Sequence, residues 1–496
     1  MDTQLLLELQ ADRIWELESL NAEVLQINKE ILQTNKVLQQ TNSDLLVVNK
    51  ELIKTSKEIL SENESLIKRV TVLEERLSKY ENRKNSRNSS IPPSKDENRP
   101  KKTNSLREPT DRKAGGQPGH TGSTLKMTET PDEIMDYIPS FCNCCGRDLK
   151  DIPYRLVEKR QIADIPEIKI KVTEYRIYER ECICGHIATS ECSEGLKNRI
   201  MFGKNIEALT AYFSVRHFTP YKRIQEMFRD VFFSNISEGG LHELIKRITN
   251  KALPIYNQIK QKLENSRQVG TDETGVKVNG DKKWFWTWQN ENLTFITLSD
   301  NRGTSTIDQN FKEGFKNAVL SHDCWKSHFQ TDAYSHQICT AHLLRELKYL
   351  SELYKNKWSS EFVQMLKFAL DHKKQLNTTD YFYPQANTNL IEKWLNELLD
   401  KPIDKNHKEL VIFQKRMIKY KPYIFTFLHY NDVPPDNNGS ERAIRNVKVK
   451  QKVSGQFKSD HGADSFAIIR SVIDTAIKNG QNALQALTAI ANYNTC

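Results

Sequence analysis

The chain has 496 residues, 38% hydrophobic and 28% charged, with a formal net charge of +9. That length predicts two to four structural units, one of them able to bury an enzyme-sized core, and the basic balance points to a polyanionic partner. No apolar run reaches the roughly eighteen residues of a membrane span, and Met1-Asp2-Thr3 opens no secretory signal, so a cytoplasmic protein is expected. Nine cysteines, four of them in two tight pairs, suit metal binding in a reducing compartment better than a disulfide framework.

Residues 1–82 read as a coiled coil. One position recurs every seven residues as Leu17, Val24, Ile31, Leu38, Leu45, Leu52, Ile59, Leu66, Leu73 and Tyr80. A second track carries Asn21, Asn28, Asn35, Asn42, Asn49 and Asn63, and the positions after the seam supply Leu25, Leu32, Leu46, Ile53, Leu60 and Ile67, so the register is ambiguous. Self-association is the expected use of a period held this long; the competing reading is a solvated helix packed on its own chain.

Residues 83–135 read as a flexible linker of Ser, Asn, Pro and Gly that cannot bury a core. Between Arg83 and Lys126 stand eleven Lys/Arg against four Asp/Glu, a surplus of seven that accounts for most of the chain's +9. Lys101, Lys102, Arg112 and Lys113 are therefore candidate phosphate contacts, although a merely solvated linker has the same composition.

Residues 136–195 read as a small metal-binding module. Cys142-Asn143-Cys144-Cys145-Gly146 and Cys182-Ile183-Cys184-Gly185 are two turns, and the alternating Ile, Val and Tyr of residues 154–180 predict a β-hairpin between them. Cys142, Cys145, Cys182 and Cys184 together make a zinc-ribbon-like set holding one structural Zn²⁺. The second pair is one residue short, which leaves Cys144, His186 or Cys192 as substitutes for one ligand.

Residues 196–265 turn helical and include a helix-turn-helix outline over residues 221–248, a candidate DNA-binding segment. Strands follow at residues 268–278, 284–289, 293–299, 318–322 and 337–340, with a helix from Ala341 to Leu353. Residues 355–430 read as a helical insertion before the last helices, near Ser440 and over residues 463–479. Residues 481–496 read as a tail.

Three acids stand out. Asp272 lies in the strand Val269-Gly270-Thr271-Asp272-Glu273-Thr274-Gly275, and Asp323 ends an apolar strand fifty-one residues later. Glu441 opens a helix after Pro434-Pro435-Asp436-Asn437-Asn438-Gly439-Ser440, a further 118 residues on. Two acids on adjacent strands and a third on a helix crossing them form the ligand set for two Mg²⁺ or Mn²⁺ ions acting on a phosphodiester. Singly, each has a plainer reading as a strand-end charge, a turn former or a helix N-terminal acid. Asn437 and Asn438 shape the turn before Glu441. Arg442, Arg445, Lys448, Lys450 and Lys452 place positive charge beside it, fit for DNA phosphates or for a solvated helix face.

Taken in order, the coiled coil, the basic Ser-Ser-x-Pro-Pro-Ser segment, Gly-Gly-Gln-x-Gly-His, the cysteine module, Asp-Glu-Thr, the strand-end Asp, Cys-x-Ala-His and Asp-Asn-Asn-x-x-Glu-Arg resemble transposases of the insertion sequence 66 family over nearly the whole chain. The resemblance implies an RNase H-like catalytic core over residues 266–480 within an α+β multidomain chain, with a DDE triad falling on Asp272, Asp323 and Glu441. It implies metal-dependent DNA cleavage and strand transfer at the ends of an insertion sequence, with element ends and target DNA as partners. Small accessory proteins and a place at the bacterial nucleoid are implied as well. By motif match it assigns supporting roles to Arg302 and to His342 of Cys339-Thr340-Ala341-His342. Ser321-His322-Asp323-Cys324-Trp325 departs from the family's Thr-Asp-Gly-Tyr form, which Thr331-Asp332-Ala333-Tyr334 resembles, so Asp332 is an alternative second acid. Asp323 is preferred because it ends an apolar strand. The competing functions are a catalytically inactive DNA-binding regulator and an RNase H-like nuclease without strand transfer.

Overall fold

A computed structural model describes residues 3–85, 88–89, 119, 121–122, 125–190 and 199–493. The seven-residue period gives one unbroken helix, α1 (Thr3–Glu81), of 79 residues. All of α1 belongs to one compact unit with Lys348–Ser360 and Pro402–Phe413, which its end contacts. There Ser78 Oγ donates to the Leu353 carbonyl at 2.5 Å, Asn82 Nδ2 to the Glu352 carbonyl at 3.3 Å and the Tyr354 hydroxyl to Glu75 Oε1 at 3.4 Å. Lys79 pairs with Glu75 at 2.8 Å and Glu409 at 3.6 Å. These contacts come from the polar face of α1, opposite its apolar seam.

A second unit comprises Asn85–Leu347, Glu361–Lys401 and Gln414–Cys496. Its first regular structure is a short antiparallel pair, β1 (Glu179–Glu181) and β2 (Ile187–Thr189). The hairpin expected over residues 154–180 is not formed, because strand structure begins only at Glu179 and the alternating residues before it lie in solvent, Ile162 at 95% and Val172 at 86% exposure. Alternation provides an apolar face, but a ladder also needs a partner strand and something to cover that face.

The helices α2 (Lys204–Ala211), α3 (Tyr221–Phe232) and α4 (Glu238–Glu264) follow. Phe233 ends α3 in the left-handed region at φ 52°, and Ser237 Oγ caps α4 by accepting the Gly240 amide at 3.0 Å. The helix-turn-helix outline is therefore present. It has a small core of its own, Ile224, Phe228, Ile236, Leu241 and Leu244, within the second unit, and α4 continues from it through Ile248, Ile259 and Leu263 into the core of Val269, Phe285 and Trp288.

A five-stranded mixed sheet comes next: β3 (Gln268–Val278), β4 (Asp281–Gln289), β5 (Thr294–Ser299), then α5 (Thr304–Asn310), β6 (Phe315–His322), α6 (Lys326–Phe329) and β7 (Ala333–Ile338). Asn279 and Gly280, at φ 49° and 90°, make the tight turn that joins β3 to β4. The spatial order is β5-β4-β3-β6-β7, with β3, β4 and β5 antiparallel and β6 and β7 parallel to β3. Trp286 and Trp288 stack on one face with Phe311 beside them, while Phe285 meets Phe457 and Phe466 on the other. From Phe285 to Gln289 β4 is buried on both faces.

The remaining helices are α7 (Thr340–Tyr354), α8 (Lys357–Gln375), α9 (Ala386–Asp400), α10 (Lys408–Lys419), α11 (Asn438–Ser454), α12 (Asp460–Lys478) and α13 (Ala483–Asn492). Residues 355–430 are helical, as the periodicity predicts. The residues read as a tail contain α13, whose Leu487, Ile490 and Ala491 are buried in the sheet's core. No helix among the described residues is long and apolar enough to cross a membrane.

Candidate active site

The pleat of β3 sends neighbouring residues to opposite faces. Gly270 and Asp272 face α11, while Glu273 points the other way, toward Trp286 and α6. On that far side Glu273 is fully buried; Arg302 Nε donates to its Oε1 at 2.6 Å and His328 Nε2 lies 3.2 Å from its Oε2. Burial works to raise the Glu273 carboxyl, but His328 and then Arg302 outweigh it and hold it below the ordinary range. Arg302 also stacks between Trp325, 4.0 Å from the ring centroid, and Trp284, at 5.2 Å.

Asp272 has no such compensation from its near neighbours. Its Oδ1 accepts the Glu273 amide at 2.9 Å. Burial, then the negative charges of Glu273, Asp323 and Glu441, push its carboxyl well above the ordinary carboxylate range. Asp323 and Glu441 thus act on Asp272 through space from two other elements.

Asp323 follows the last residue of β6, and its Oδ1 accepts the Trp325 amide at 3.1 Å and lies 4.0 Å from His328 Nε2. Cys324, at φ 73°, takes the left-handed conformation that turns the chain here, a strained geometry of the kind concentrated at functional sites. Asp332 is at the opposite end of the parallel strands, where its carbonyl accepts the Phe315 amide at 2.6 Å.

Glu441 sits in the first turn of α11, with Arg345 donating to its Oε1 at 3.1 Å and His342 Nε2 at 3.7 Å. Burial, then the charge of Arg345, lower His342 to about 4, so it is a neutral imidazole at physiological pH. What seats α11 is Asn437, 2% exposed. Its Nδ2 donates to the Thr271 carbonyl at 2.7 Å, its amide to Cys339 Sγ at 3.2 Å, and its Oδ1 accepts from Ser440 Oγ at 2.7 Å. Thr340 donates from its amide and hydroxyl to the Pro435 carbonyl at 3.0 and 2.9 Å. One turn thereby joins the strand of Asp272, the helix of His342 and the helix of Glu441. Asn438 opens α11 and donates its amide to Asp436 Oδ1 at 3.0 Å.

The family model described as Transposase IS66 family matches residues 199–465, 267 of the 496 positions. The chain belongs to the IS66 family of transposases. A second family model, a family of unknown function (DUF6444), matches residues 7–126. No curated protein matches the chain. Membership makes the protein a transposase and implies DNA binding and use of a divalent metal.

Among the described residues of the transposase, no group of three or more His, Cys, Asp or Glu is assembled closely enough to hold a metal ion. The acidic cluster nevertheless fits a cation in its chemistry, because the crowding that raises Asp272 is the repulsion a bound cation relieves. The cysteines differ. Each pair closes its own turn, the Gly146 amide on the Cys142 carbonyl at 2.9 Å and the Gly185 amide on the Cys182 carbonyl at 2.8 Å. Hydrogen bonds from backbone amides of Cys145 and Cys144 favour the Cys142 thiolate, and that of Cys184 favours Cys182. Among the described residues Cys142, Cys145, Cys182 and Cys184 fall in no group of three or more such ligands, so the structure does not show the four-thiolate site. Cys144 and His186 do not complete it, and Cys192 lies outside the described residues.

The basic residues of α11 divide. Arg442, Arg445 and Lys452 are exposed, and Arg442 borders a cleft of about 740 Å³ with Arg216 and Lys478. Lys448 instead donates to the Gly275 carbonyl, and burial lowers Lys450 to about 8, which makes both of them poorer phosphate contacts than their position in sequence suggests. Arg302, given a supporting role by motif, is engaged with Glu273. Lys101, Lys102, Arg112 and Lys113 lie outside the described residues. Sequence reasoning missed Arg345 and His328. Arg345 was findable, since it follows His342 by three residues on α7 and so shares its face; His328, in a four-residue helix, carried no periodic signal.

Proposed function

We propose that this transposase cuts DNA at the ends of an insertion sequence and joins the freed 3′-hydroxyl to target DNA, using an RNase H-like core in which Asp272, Asp323 and Glu441 hold two Mg²⁺ or Mn²⁺ ions. The observation that carries the reading is the convergence of negative charge on Asp272 from residues 51 and 169 positions away. Bound there, two such ions activate an attacking hydroxyl and stabilise the leaving oxygen of a phosphodiester. The protein's own residues supply the frame. Glu273, locked by Arg302 and His328, fixes the back of β3, and Asn437 fixes Glu441 relative to that strand. Arg345 neutralises Glu441, and His342, uncharged, offers hydrogen bonds without competing as a cation. Arg442, Arg445 and Lys452 face DNA phosphates, joined by Lys101, Lys102, Arg112 and Lys113 of the basic arm. The seam of α1 pairs with a second copy, so that two element ends are handled together.

Given a pre-cut element end, supercoiled plasmid and Mn²⁺, the purified chain should yield joined product. Glu441→Gln should abolish joining and leave DNA retention in gel shifts intact. The Glu441–Arg345 pair favours one rival, a DNA-binding regulator without catalysis, for which both proteins would bind and neither would join. Cleavage without joining would identify a plain nuclease.

We also propose that Cys142, Cys145, Cys182 and Cys184 take one Zn²⁺, whose binding draws the two turns together and supplies folding energy that the solvent-exposed segment between them lacks. Elemental analysis of the full chain should find about one zinc per chain, falling to near zero in Cys142→Ser and in Cys182→Ser. Zinc retained by both variants would refute the assignment.

A further inference from the structure

From the side chains along α1 we infer that the copies of this chain pair in parallel and in register, aligned by a ladder of asparagines. The inference rests on the self-association proposed above. The asparagine track, extended in both directions, reads Leu7, Ile14, Asn21, Asn28, Asn35, Asn42, Asn49, Ser56, Asn63, Val70 and Leu77. Each asparagine is followed at three residues by a member of the apolar seam, and Asn21, Asn28, Asn42, Asn49 and Asn63 at four residues by a second apolar side chain. On a helix those are the two positions flanking it on the same face, so in whichever heptad frame the seam is read, the amides run down the middle of the apolar stripe.

Among the described residues nothing covers that stripe. At the end of α1 the protein docks through Glu75, Ser78, Lys79 and Asn82, and the seam beside them stays open, with Val70 51%, Leu73 59%, Leu77 57% and Tyr80 69% exposed. Farther up, Val24, Ile31, Leu45 and Ile59 are 47–54% exposed. A helix that grips its own chain by its polar face has its apolar face available for another.

The amides decide what that other surface is. Covering the stripe with apolar side chains would bury six amides without partners. A second α1 laid parallel and in register places each asparagine opposite its own equivalent, donor to acceptor, in layers about 10.5 Å apart. An antiparallel partner centred on Asn42 matches fewer of them: it sets Asn21 against Asn63 and Asn35 against Asn49, but leaves Asn28 against Ser56. A slip of one heptad keeps four of the six matches and pushes Asn21 against Ile14 and Asn63 against Val70, so Ser56 and the apolar ends of the track fix the register. Parallel pairing delivers both chains beyond Glu81 at the same end of the coil.

The test uses the full-length protein carrying a photo-crosslinking amino acid at Glu18, beside the seam. Unlabelled and ¹⁵N-labelled chains are mixed and linked peptides are read by mass spectrometry. Links between chains should fall within about one heptad of position 18. In Asn28→Leu/Asn35→Leu/Asn42→Leu the chains should still link, with sites spread to positions a heptad or more away. Links clustering around Leu66 would overturn parallel pairing while leaving self-association standing, and a variant as tightly confined as the parent would overturn the role of the asparagines. Absence of any link between chains would remove the self-association on which the inference rests.

Discussion

Asp272→Asn is expected to reduce strand joining by about 10³-fold or more, the order of losing several kcal/mol of metal-borne stabilisation, and at the same time to raise the melting temperature of the metal-free protein. The two effects have one origin. Burial and the charges of Glu273, Asp323 and Glu441 raise the Asp272 carboxyl in the folded state. Its ionised form is therefore disfavoured by folding, and stability is lost as pH rises from the ordinary carboxylate range through the raised value. An asparagine carries no charge to be repelled, so its advantage should grow as pH rises above the ordinary carboxylate range, in scanning fluorimetry under EDTA. Mn²⁺ should raise the melting temperature of the parent far more than that of the variant, since only the parent keeps the carboxylate proposed to bind it. A variant that melts below the parent at pH 8 without metal would show that the acids do not crowd Asp272 in solution.

Gly270→Ala should cripple the enzyme from a residue that touches no substrate. A methyl group there would meet Asn437 Oδ1 at 2.7 Å, Ser440 Oγ at 2.7 Å and Gln289 Nε2 at 2.8 Å, too close for any of them. Relief requires α11 to lift from β3, which breaks the Asn437–Thr271 bond and displaces Glu441. Overpacking of this kind costs about 1–3 kcal/mol, and displacement of a catalytic group by about 1 Å costs on the order of 10²-fold in rate. Gly275→Ala, five residues along the same strand, is the control, because its new methyl would find Trp284 at an ordinary 3.7 Å. Joining assays and thermal melts of the two variants should separate sharply. Equal, near-parental behaviour would mean that the close seating of α11 is not what positions Glu441.

The same turn shows why part of the site was readable and part was not. Asp-Asn-Asn-x-x-Glu-Arg is contiguous, so the motif pointed to Asn437 and Glu441 together, and Asp323 could be preferred over Asp332 because an apolar strand leads into it. What Asn437 holds could not be read: Thr271 is 166 residues away and Cys339 is 98. The cysteine of Cys-x-Ala-His has a packing role that no local pattern announces, accepting an amide from the turn before Glu441. Arg302 was matched by motif to a supporting role, and its guanidinium is engaged by Glu273, a residue whose side of the sheet follows from the pleat but whose partners do not.

By itself the sequence determined the elements whose signals are periodic or contiguous: the long helix, the strands around the Asn279-Gly280 turn and the helices within residues 355–430. Those signals are local, fixed by how a backbone of given pitch distributes apolar and polar side chains. Only the tertiary structure decided what lies against each face. It set the end of α1 on its polar side, drew α13 into the core and paired Arg345 with Glu441. Periodicity says which way a side chain points; the identity of its neighbour is set by packing between segments tens to hundreds of residues apart, and no local pattern records it.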